Sequence, residues 1–70
     1  MFVWFQKGGD FLRYEARDLP NGRYELRIVE PDGTERTETF TDSTALNKRQ
    51  IDLERELAAA GWTGPHGWNL

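Results

Sequence analysis

Three turn signals punctuate the first forty residues, and their spacing constrains the fold more than any other feature of the chain. Lys7-Gly8-Gly9-Asp10 carries the glycine pair of a tight two-residue hairpin. Leu19-Pro20-Asn21-Gly22-Arg23 sets a proline and an Asn-Gly pair between two polar-apolar runs. Glu30-Pro31-Asp32-Gly33-Thr34 suits a type I turn, with proline second and a glycine free to take positive φ. Four candidate strands lie between and beyond these turns, at 2–7, 11–18, 23–30 and 34–40. Connections this short leave no room for a crossover, so each neighbouring pair must be antiparallel and the sheet a meander.

The alternation inside the runs assigns faces. In Arg23–Glu30, Tyr24, Leu26 and Ile28 share one side, with Arg23, Glu25, Arg27 and Val29 on the other. In the second run Leu12, Tyr14 and Ala16 oppose Phe11, Arg13, Glu15 and Arg17. The first run is apolar on both sides at its start, which suggests a strand covered on both faces. The fourth admits two registers. A three-residue loop sets Ile28 opposite Arg36, Leu26 opposite Glu38 and Tyr24 opposite Phe40. A loop of two or four residues turns Thr37 and Thr39 inward instead. We adopt the first, since inward charges on a last strand defend a sheet edge against aggregation.

Beyond residue 40 the period changes from two to that of a helix. Asp42 or Thr41 offers an N-cap, and Leu46, Gln50, Leu53, Leu57 and Ala60 fall on one stripe. Lys48, Arg49, Glu54, Arg55 and Glu56 are expected on the solvent face. Gly61 stands where a helix takes a left-handed last residue, and Trp62 where an apolar side chain folds back on the final turn. The expected fold is α+β: a four-stranded antiparallel β-meander followed by one C-terminal α-helix packed on one sheet face (ββββα), then a short irregular tail. It is a single domain over 1–70, with the sheet at 2–40, the helix at 42–60 and the tail at 61–70. This order of elements over residues 2–61 resembles the repeat unit of the Whirly and PUR single-strand-binding proteins. That likeness implies a paired arrangement and a sheet that receives a nucleic-acid strand, and it assigns no residue.

Composition narrows function by exclusion. Seventy residues without cysteine have neither disulfides nor thiolate metal sites, and the single histidine, His66, cannot ligate zinc alone. The apolar start, residues 1–5, lacks the basic region and cleavage site of a signal peptide, and no run approaches a membrane span, so a cytoplasmic protein is expected. Net charge is −3, with six bases and eight acids in residues 1–40 and three and four in 41–70, so neither half is basic. Ser43, the single serine, falls in the first helical turn, where its hydroxyl serves a cap rather than a nucleophile. No phosphate-binding glycine loop precedes a helix, and Pro31–Glu35 lacks the alternating acids of a calcium loop. An enzyme is therefore not expected; nor is any cofactor or metal.

What remains is binding. The core is small for one chain, and we expect Trp4, Leu12, Tyr14, Leu26, Ile28, Leu53 and Leu57 to fill it. Phe5, Phe11, Ile51 and Trp68 are expected to face a partner, most simply a second copy of the chain. Trp68 either tucks against its own sheet or reaches that partner, and His66 sits in an exposed loop. The sheet face away from the helix offers an alternative. Phe11, Arg13, Arg17, Arg23 and Arg27 lie there, joined by Phe5 or Val3, and arginine beside aromatic rings is what single-stranded nucleic acid binds. Glu15 and Glu25 stand in the same rows, so cross-strand ion pairs compete with that reading.

Overall fold

The computed structural model describes residues 2–68, with Trp68 described through its backbone. Five strands and one helix follow the order β1 (Phe2–Lys7), β2 (Asp10–Leu19), β3 (Arg23–Val29), β4 (Glu35–Phe40), α1 (Ser43–Ala59) and β5 (Thr63–Trp68). They form one antiparallel sheet in the order β4-β3-β2-β1-β5, with α1 on one face. The four-stranded meander and its covering helix are those expected from the turns. The tail is different: residues 63–68 are a fifth strand on the free edge of β1, not an irregular segment. Gly67 and Gly64 make this approach achievable. A Cβ on Gly67 would lie 2.5 Å from the Phe2 carbonyl oxygen, and one on Gly64 would lie 2.7 Å from the Phe5 ring.

Each turn signal produces the local geometry its residues demand. Gly8, at φ 60°, leads a two-residue hairpin that pairs Lys7 with Asp10. Positive φ at the first central position and not at the second is the II′ form, whose twist matches the flanking strands. Pro20–Gly22 make a three-residue turn in which Asn21, at φ 70°, and Gly22, at φ 69°, both take the left-handed region. In the third turn Glu30 donates to the Thr34 carbonyl at 2.8 Å, Gly33 to the Glu30 carbonyl at 2.9 Å, and the Asp32 carboxylate accepts from the Thr34 amide at 2.9 Å. That last bond holds the exposed Asp32 carboxyl below its ordinary range. The loop is three residues long, so Ile28 faces Arg36, Leu26 faces Glu38 and Tyr24 faces Phe40.

The core lies between the sheet and α1. Phe5, Leu12, Tyr14, Leu26, Ile28, Leu46, Leu53 and Leu57 are buried, with Trp62 packed at their margin. Here two expectations exchange places. Phe5 is buried and Trp4 is on the opposite face, because the two-residue turn sets Phe5 directly across from Leu12 and Trp4 across from Arg13. Directly paired residues share a face. Counting back from Lys7 and Asp10 would have fixed this parity; the doubly apolar start of β1 obscured it.

The helix begins and ends as its residues require. Asp42 accepts from the Ala45 amide at 2.7 Å. At the other end Gly61 adopts φ 93°, Gly61 donates to Ala58 and Trp62 to Leu57, the paired bonds of a Schellman motif. Lys7 reaches across from β1 to donate to the Ala60 carbonyl at 2.6 Å, placing a cation at the negative end of the helix. Two residues expected on the solvent face reach the sheet instead. Glu54 accepts from the Tyr14 hydroxyl at 2.6 Å, and Arg49 binds Glu38 through Nε at 2.8 Å. Their long side chains lie at the flank of the apolar stripe, where they can bridge the helix and the two strands beneath it.

Candidate interaction surface on the open sheet face

The face of the sheet away from α1 is organised in rows, because directly paired residues line up across strands. One row runs His66, Trp4, Arg13, Val29 and Glu35, from β5 to β4. The next contains Phe2, Glu15, Arg27 and Thr37. On the other side of the first row Gln6 pairs with Phe11. The aromatic side chains therefore collect at one end of the face, over β1 and the start of β2. The Trp4 and His66 rings lie 4.5 Å apart at 31°, and Trp4 and Phe11 lie 5.9 Å apart at 60°.

Phe2, Trp4 and Phe11 border a shallow depression of about 470 Å³, closed on the far side by Val29 and the Pro31 turn, with Arg13 in its wall. Phe11 is 54% exposed there. An aromatic side chain stays this exposed only at a cost in apolar hydration, and a cluster of them on an open face is the kind of surface that marks an interaction site. The sequence reading missed Phe2, Trp4 and His66 as members of this surface. Phe2 and Trp4 follow from the β1 parity. His66 could not be placed without β5.

The charged half of the face is mostly self-satisfied. Arg17 and Glu25 are directly opposed and bond at 2.9 Å, and Arg27 bonds to Glu35 across the β3–β4 pair. This is the expected cross-strand ladder, and it occupies two of the four arginines of the nucleic-acid alternative. Among the described residues Arg13 and Arg23 form no ion pair. They stand three rows apart on neighbouring strands, on the order of 20 Å, too far to clamp one phosphate. Glu15, half-buried beside Arg13 on the same strand face, likewise has no ion-pair partner among the described residues.

The four residues expected to face a partner do not form one surface. Phe11 is on the open face. Ile51 is 50% exposed but belongs to the helix layer on the other side of the molecule. Phe5 is in the core, and the Trp68 side chain lies outside the described residues. Among the described residues no group of three or more His, Asp or Glu side chains could hold a metal ion, and no helix is long and apolar enough to cross a membrane. The most strongly shifted titratable group, Tyr14, is on the helix side. Burial and then the Glu54 carboxylate hold its phenol well above the ordinary value. That bond joins the helix to the sheet and is not exposed to a ligand.

No protein-family model, no curated protein and no solved structure matches the chain. The likeness in element order to the Whirly and PUR repeats thus has no matched structure beside it, and β5 extends the order to ββββαβ.

Proposed function

We propose that the protein is a small non-enzymatic interaction module that pairs with a second copy of itself through the aromatic end of its open sheet face. The observation that carries this reading is the depression bordered by Phe2, Trp4 and Phe11 on the sheet face that no element among the described residues covers. Completing the burial of a half-exposed phenylalanine is worth roughly 1 kcal/mol, and a symmetric pair gains it twice. A chain whose described residues bury eight apolar side chains has much to gain from such a contact.

The second reading, single-stranded nucleic acid on the same face, is favoured by one feature: Arg13 stands unpaired directly opposite Trp4. The ion pairs of Arg17 and Arg27 and the net charge of −3 weigh against it. Light scattering on a size-exclusion column, at low and high salt and with a generic single-stranded oligonucleotide, separates the two. The module predicts a dimer that ignores the oligonucleotide, persists at high salt and dissociates more readily in Phe11→Ser. Monomer in every condition overturns it. A nucleotide complex that dissolves steeply with salt would transfer the function to Arg13 and its aromatic neighbours.

A further inference from the structure

We infer that the two copies stack open face on open face about a twofold axis that crosses the central strand between Arg13 and Glu15, so that each Arg13 pairs with the partner's Glu15. The inference rests on the homodimer reading above and adds the arrangement. It comes from the row register and the two unpaired charges. β2 is the middle strand of the five, and Arg13 and Glu15 are successive open-face residues at its midpoint, opposite in sign and without ion-pair partners among the described residues.

Two sheets that face each other can be related by a twofold axis lying between them, either along the strands or across them. An axis along β2 sets Arg13 over Arg13 and Glu15 over Glu15, like charge on like charge. An axis across the strands, between those two rows, reverses the rows. Arg13 then meets the partner's Glu15, and by symmetry Glu15 meets the partner's Arg13. The same operation keeps β1 over β1. Trp4, in the Arg13 row, comes over the partner's Phe2, which is in the Glu15 row. Phe11, one row further out, comes over the partner's Arg17, a cation above a ring. Aligned sheet packing offsets the strands by about 30°, and residues flanking the axis are displaced least. One operator therefore matches the charges and the aromatic rings together, which the other does not.

Charge variants test it. Arg13→Glu creates two Glu–Glu contacts across the axis and Glu15→Arg two Arg–Arg contacts, so each should weaken the dimer at least about tenfold. The double variant Arg13→Glu/Glu15→Arg should restore it. Mixing the two single variants should yield a heterodimer in preference to either homodimer, read by native mass spectrometry. Circular dichroism checks that each variant is folded. Should one fail to fold, intermolecular NOEs between Trp4 and the partner's Phe2 in half-labelled wild-type dimer decide the matter without it. A wild-type dimer indifferent to both single variants, or lacking those NOEs, overturns this arrangement and leaves the homodimer reading standing. A wild-type monomer overturns both.

Discussion

The Tyr14 hydroxyl joins the sheet to the helix. Tyr14 is 1% exposed and its hydroxyl donates to Glu54 at 2.6 Å, so the carboxylate has a strong donor and the phenol is held in its protonated form. Tyr14→Phe keeps the packing and leaves Glu54 without that donor, so it should cost roughly 1–2 kcal/mol at neutral pH. The pH dependence has a definite sign. The phenol titrates above its ordinary value in the fold, so its contribution is complete below that value, 10.0, and is lost as pH rises beyond it. Urea unfolding in steps of pH should show wild-type stability falling more steeply above pH 10 than that of Tyr14→Phe, by up to about 1.4 kcal/mol per pH unit. Parallel curves would mean that the bond is not formed in solution. The Tyr14 position was legible in the alternation of β2, but its partner was not. Glu54 looked like surface because a helical stripe says which side faces the sheet and not which strands lie under its flanks.

Among the elements, those whose signals are local were the readable ones. The two hairpin turns and the Pro31 turn fixed strand order from β1 to β4 through residues within the turns themselves, whereas the β3–β4 register was left open by the turn and chosen from the inward charges of β4. The helix is equally self-contained, from the Asp42 cap to the Gly61 stop. Gly61 shows what such a stop is worth. At φ 93° it occupies a region that side chains disfavour, while its surroundings are open apart from the Lys7 side chain at 3.6 Å. Gly61→Ala should therefore lose stability through the backbone alone, by roughly 1 kcal/mol. In a domain of this size that is a fall of about 4–8 °C in melting temperature. Thermal unfolding by circular dichroism measures it; an unchanged midpoint would mean that the Schellman motif contributes nothing. β5 was unreadable for the complementary reason. Its glycines and proline lack strand propensity, and its pairing depends on β1, at the other end of the chain. The glycines that looked like breakers are what the close contact with Phe2 and Phe5 requires.

At the scale of the molecule the sheet ends at β4 and β5, and the two end strands of the meander, β4 and β1, are protected differently. β4 is its own defence: Arg36 and Glu38 turn toward the helix side, and they pair with Glu30 and Arg49. β1 has no such protection. It carries Phe2, Val3, Trp4 and Phe5 in succession, and its free backbone groups would invite another strand if β5 did not occupy them. The Phe5 ring also lies against Gly64, so removing β5 uncovers part of the core. Ending the chain after Trp62 should therefore have two effects. The remaining meander and helix keep their far-UV spectrum at low concentration, with a lower melting temperature. As concentration rises, freed β1 edges pair with one another, and this second contact joins face-paired dimers into species larger than a dimer with no fixed size. Contact through the open face alone closes with two copies, whereas a face contact and an edge contact in the same molecule continue, so sedimentation velocity distinguishes them directly. A truncated chain that sediments as the full one does would show that β1 is protected by something other than β5. Open-ended association confined to the truncated chain would assign β5 its role: it covers the edge of β1.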